Sequence, residues 1–165
     1  MKTIYYYQSF CSLEKMIENS QQVDTIIVSS IHFGKFKNEP YIHLNNNYPT
    51  SPLFDKVWED LQKLYFNGVT IMCMVGGAGG AYHSLFSDFE TYYPMLKEFL
   101  KEKKFITGID LDIEESVDIK DVKDNIELVD DNLKRVSSMS FFKLIRSSGV
   151  RKEPNSTSFP FPFNV

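Results

Sequence analysis

Phe105-Ile106-Thr107-Gly108-Ile109-Asp110-Leu111-Asp112-Ile113-Glu114 is the stretch on which the fold turns. From Gly108 onward apolar and acidic residues alternate, and a strand sends successive side chains to opposite faces. Ile109, Leu111 and Ile113 therefore share one face, while Gly108, Asp110, Asp112 and Glu114 share the other. Neighbouring acids in such a row stand ~7 Å apart. Where water is scarce they cannot all ionise freely, so the pattern predicts at least one carboxyl that keeps its proton near neutral pH. The same D-x-D-x-E spacing also arises on a solvated edge strand, or where Asp110, Asp112 and Glu114 would hold a divalent ion. The apolar alternation around the acids favours a strand with its acidic side turned inward.

Working outward, three further runs read as strands. Thr3 to Tyr7 is short, β-branched and aromatic. Thr25 to Ser30 and Val69 to Val75 are continuous apolar runs, as expected of strands covered on both faces. Helical patterns lie between them. Ser12 precedes Leu13, Met16 and Ile17, and Ser51-Pro52 opens a stripe of Phe54, Val57, Trp58, Leu61, Leu64 and Tyr65 that Asn67-Gly68 ends. Ser87 with Glu90 has the spacing of a capping box ahead of a helix through Lys104, with Pro94 as a kink. Val122, Ile126, Val129, Leu133 and Val136 mark one more helix. The rhythm is βα repeated four times. Crossovers that contain a helix force parallel, right-handed connections, so the class is α/β with a parallel sheet.

Ile106 to Glu114 resembles the signature of glycoside hydrolase family 18, acidic-Gly-apolar-Asp-apolar-Asp-x-Glu, at the end of the fourth strand of a (β/α)8 TIM barrel. Thr107 stands where that family has its first aspartate. Met74-Val75-Gly76-Gly77 is similar to the family's Ser-x-Gly-Gly on the third strand, with Met74 in place of the serine. The resemblance spans residues 3–136 and implies the first four βα units of an incomplete barrel. It implies a catalytic set of Glu114 as acid/base, Asp112 orienting the substrate's 2-acetamido group, and Asp110 supporting Asp112. The acetamido oxygen would then replace an enzyme nucleophile in a retaining reaction. The substrate class implied is an oligo- or polysaccharide of β-1,4-linked N-acetylglucosamine, with chitin as one example, and no cofactor. The alternative is a catalytically impaired, lectin-like carbohydrate-binding module or truncated barrel, which Thr107 and Met74 favour.

Other positions are weighed for substrate binding. Tyr7 on the first strand either packs or lines a sugar site. His32 and Phe33, just past the second strand, lie at the end where barrel sites are built. Gly76 and Gly77 open a glycine-rich turn without the spacing of a dinucleotide or phosphate loop. Missing side chains there let a sugar ring or a neighbouring backbone come close. Trp58 reads as core.

Composition narrows the partners. A net charge of −4 and the absence of a basic cluster before the last quarter argue against nucleic acid and anionic membranes. Cys11 and Cys73 have no ligand or disulfide-framework spacing, and no metal centre is predicted from them. No long apolar segment opens the chain, which favours a cytoplasmic protein while leaving secretion open. Residues 1–136 read as the partial barrel, and residues 137–165 as an irregular basic, Pro-rich tail. A half-barrel has two open parallel edges. Self-association would close it; the tail covering an edge, or truncation of a longer parent, are the other readings.

Overall fold

The runs around Ile27 and Cys73 are the centre of one sheet, and everything else is arranged on it. The structure, a computed structural model, describes residues 3–115 and 145–146. Strand β1 is Ile4–Tyr7, helix α1 Glu14–Glu18, strand β2 Thr25–Phe36 and strand β3 Glu39–Leu44. Helix α2 is Asp55–Phe66, strand β4 Thr70–Gly76, helix α3 Ala81–Ser87, helix α4 Phe89–Glu102, strand β5 Ile106–Asp112 and strand β6 Ile145–Arg146. The predicted helix over 122–136 and most of the predicted tail lie outside the described residues, although β6 falls within the segment read as irregular.

The strands pair in the order β1-β2-β4-β5-β6, all parallel, with β3 antiparallel to β2. Each new parallel strand is added on the same side of the last. Right-handed crossovers then place every described helix on one face, unlike a doubly wound sheet, whose order reverses. Ile26, Val28, Ile71, Cys73, Val75 and Ile109 pack on that face with Leu61 and Leu64 of α2 and Leu96, Phe99 and Leu100 of α4. Burying each such side chain contributes about 1.5–3 kcal/mol. On the other face Ile27, Met72 and Met74 form a separate buried cluster made by strands alone. This is the strand order of a partial (β/α)8 barrel.

The helix-opening signals divide. Ser51 Oγ accepts a hydrogen bond from the Leu53 amide, with Pro52 starting a 3-10 turn that runs into α2. Trp58 is buried, as its position on the stripe implies, and its indole N–H donates to the Pro49 carbonyl at 3.1 Å. The Ser87–Glu90 box does not form. Ser87 closes α3 and donates instead to the Ser84 carbonyl, while α4 begins after Asp88.

Two features of β2 depart from the sequence reading. First, the strand runs six residues beyond Ser30 and turns back as a hairpin into β3. Lys37 and Asn38 have φ of 51° and 67°, the pair of positive values of a two-residue hairpin turn. Second, pairing with β4 slips between Val28 and Ile31, around the cis Ser29–Ser30 peptide. Ile26 and Val28 face the helices before the slip, and Ile31 and Phe33 face them after it. The extra residue reverses the phase of alternation, so Ser29, Ser30 and His32 are left for the concave side.

Among the described residues no helix is long and apolar enough to cross a membrane.

Candidate active site

β4 and β5 are in register with Met74 beside Asp110 and Gly76 beside Asp112. This places both aspartates at successive inward positions near the C-terminal end of β5, as the alternation predicts. Ile109, Leu111 and Ile113 pack on the helix side. Thr107 stands out of the row: pairing slips between Ile71 and Met72, and the Thr107 hydroxyl donates to the Ile71 carbonyl at 3.2 Å. It satisfies a ladder carbonyl that the slip frees.

Asp110 is 1% exposed, and its Oδ1 has no hydrogen-bond partner among the described residues. Burial pushes its pKa up; the Tyr6 hydroxyl, reaching it as a hydrogen-bond donor, pulls it back, and the neighbouring Asp112 raises it again, with a net upward shift. The carboxyl held toward its protonated form is therefore Asp110. Asp112 is half-buried beneath the glycine turn: a Cβ on Gly77 would lie 3.6 Å from its Oδ2 and 3.4 Å from the Met74 methyl.

The row does not continue on a strand to Glu114. Pairing ends at Asp112, and Glu114 lies two residues beyond it, exposed, with no hydrogen bond to its side chain among the described residues. The three acids thus differ in setting: one sealed, one half-covered, one in water at the mouth. Among the described residues no three His, Cys, Asp or Glu side chains are grouped as a metal centre would require.

The glycine turn fits tightly over the end of β5. The Gly77 amide donates to the Asp112 carbonyl at 2.8 Å. Gly76, at φ 110°, leaves no room for a Cβ, which would overlap that same carbonyl oxygen and the Tyr82 ring. What approaches Gly76 is a neighbouring backbone. Tyr82 locks the turn from the helix side, its hydroxyl donating to the Val75 carbonyl at 2.7 Å.

The aromatic assignments need correction. Tyr7 is buried among the helices, and its hydroxyl donates to the Cys11 carbonyl at 2.6 Å, so it packs and does not line the concave face. Its neighbour Tyr6 reaches Asp110. Phe33 is also core, packed on Tyr92 with ring centroids 5.5 Å apart, because the slip in β2 turned it to the helix side. His32 lies beside the glycine turn. Its Nε2 lies 2.9 Å from Ser30 Oγ, and a Cβ on Gly79 would stand 3.2 Å from its ring. Burial lowers its pKa, with Glu115 acting in the opposite direction.

Glu115 itself went unrecognised in the sequence. Its carboxylate accepts two backbone N–H groups at the start of α3, from Tyr82 at 2.9 Å and His83 at 2.8 Å. It follows the alternating run directly, so no periodicity marks it.

Solved structures share this architecture. A chitinase from Aspergillus fumigatus superposes with a TM-score of 0.69 at 29% identity, covering 82% of this chain and 50% of its own. A fungal endo-beta-N-acetylglucosaminidase from glycosyl hydrolase family 18 gives a TM-score of 0.70 at 24% identity, over 80% of this chain and 50% of its own. A family 18 chitinase from Pseudoalteromonas aurantia gives 0.60 at 18% identity, over 87% and 55%. The chain spans about half the length of these structures. No family model matches the sequence, and no curated protein does.

Proposed function

We propose that this chain, which resembles the N-terminal half of a glycoside hydrolase family 18 barrel, carries the acidic machinery of a chitinase-like glycosidase acting on β-1,4-linked N-acetylglucosamine. One observation carries the reading: Asp110 and Asp112 occupy successive inward positions at the C-terminal end of β5, under a glycine turn, with Glu114 two residues beyond. Barrel enzymes assemble their sites at that end.

In this reading Glu114 gives its proton to the glycosidic oxygen as the bond to the anomeric carbon breaks. The substrate's own acetamido oxygen attacks that carbon, forming a cyclic oxazolinium. Asp112 orients the acetamido group and balances the positive charge that develops on its nitrogen. Asp110, the most buried of the three, holds Asp112 in place from below. Water then opens the ring from the same face the leaving group left, giving its proton to Glu114, and configuration is retained.

A second reading is a module that binds N-acetylglucosamine polymers without cleaving them. The exposure of Glu114 favours this one. Hydrolysis of a fluorogenic N-acetylglucosamine oligomer by the 165-residue chain separates the two. Turnover that falls about 10²–10⁴-fold in Glu114→Gln supports the glycosidase. Oligomer binding by calorimetry without turnover supports the binding module.

A further inference from the structure

Glu114 sits between two attachments to the same turn. Just before it, the Asp112 carbonyl accepts the Gly77 amide at 2.8 Å. Just after it, the Glu115 carboxylate accepts the amides of Tyr82 and His83, one on each oxygen. The turn between these anchor points is itself fixed to β4, through Gly76 packed against Asp112 and the Tyr82 hydroxyl on Val75. Beyond Asp112 strand pairing has ended, so no ladder holds Ile113 and Glu114. A side chain on an unpaired segment wanders unless both ends of the segment are tied.

We infer that Glu115 is a positioning residue: by clamping the entrance of α3 with both carboxylate oxygens, it fixes the two-residue segment that presents the Glu114 carboxyl at the end of β5. The inference rests on Glu114 being the acid of the proposed site. Paired hydrogen bonds to a charged acceptor are stronger and more directional than neutral ones. Misplacement of a catalytic group by about 1 Å costs on the order of 10²-fold in rate.

The test uses the full chain with Glu115→Gln and Glu115→Ala, read in two ways. Amide hydrogen exchange at Tyr82 and His83 reports the clamp: both amides are protected in the parent, one keeps its protection in Glu115→Gln, which retains a single carbonyl acceptor, and neither does in Glu115→Ala. Kinetics on the fluorogenic oligomer report positioning: kcat falls about 10–100-fold in Glu115→Ala with KM little changed, and Glu115→Gln recovers part of the loss. Exchange that is the same in all three chains overturns the clamp. Changed exchange with an unchanged kcat overturns the positioning role. A parent with protected amides and no turnover overturns the glycosidase reading, and the positioning role with it, while the clamp stands. The two failures are thus distinguishable.

Discussion

The Tyr6 hydroxyl on β1 reaches the Asp110 carboxylate on β5, although β2 and β4 lie between them. Three strand spacings span about 14 Å in a flat sheet, more than a tyrosine side chain can cross. The sheet must therefore curl, bringing β1 and β5 toward each other over the face opposite the described helices. The curl explains why, among the described residues, Ile27, Met72 and Met74 are buried without a helix on their side, and why an aspartate on the concave face loses water.

That loss of water gives a stability signature. The native pKa of Asp110 is raised by burial, against the pull of Tyr6, so between its ordinary and raised values the folded chain binds a proton that the unfolded chain has released. Stability from neutral Asp110 is complete below the ordinary carboxylate range and is lost as pH rises through the raised pKa. Urea unfolding on a pH series should show the parent losing stability relative to Asp110→Asn across that window. Tyr6→Phe removes the lowering contribution and should move the window upward. Curves for parent and Asp110→Asn that stay parallel would count against the assignment.

Gly76→Ala should be among the most damaging single-atom-scale changes in the chain. It asks alanine to adopt a φ of 110° and drives its methyl into the Asp112 carbonyl oxygen. A loss of about 3 kcal/mol is expected. Gly68→Ala is the control, since its φ is 89° but nothing lies within 4 Å of the added methyl, and about 1 kcal/mol of backbone strain is all it should cost. Similar losses in the two variants, by urea denaturation, would remove the case for a close backbone contact at Gly76.

The turn between β2 and β3 is improvable. Both of its central residues have positive φ, a geometry for which Asn-Gly is the favoured pair, whereas the chain has Lys37-Asn38. The double variant Lys37→Asn, Asn38→Gly should gain about 0.5–1 kcal/mol in thermal or urea unfolding. A loss of stability would mean that the Lys37 side chain, now over the Phe36 ring at 5.4 Å, contributes more than the turn costs.

The same turn shows where sequence reasoning stops. Parallel strands declare themselves by apolar runs such as Ile26-Ile27-Val28 and Ile71 to Val75, and the acidic alternation of β5 survives almost intact. Lys37-Asn38 carries no glycine, so the hairpin is silent and its strands pass for loop. A period of two has two phases, and the row Tyr5-Tyr6-Tyr7 is aromatic in both; only the fold reveals that Tyr6 faces Asp110 and Tyr7 the helices. Helix α3 hides behind glycines and breaks the spacing that marks Ser87 as a cap. Glu115 is legible only by contact, because its partners are backbone amides more than 30 residues earlier.

The slipped register in β2 makes that strand two half-strands of opposite parity. Were both serines kept and the slip absent, the two-residue repeat would run unbroken and everything downstream would trade sides. Ile31 and Phe33 would enter the cup while His32 would be driven among the helices. A chemically mild serine pair thus acts as the switchyard that decides which residues meet solvent and ligand and which build the interior.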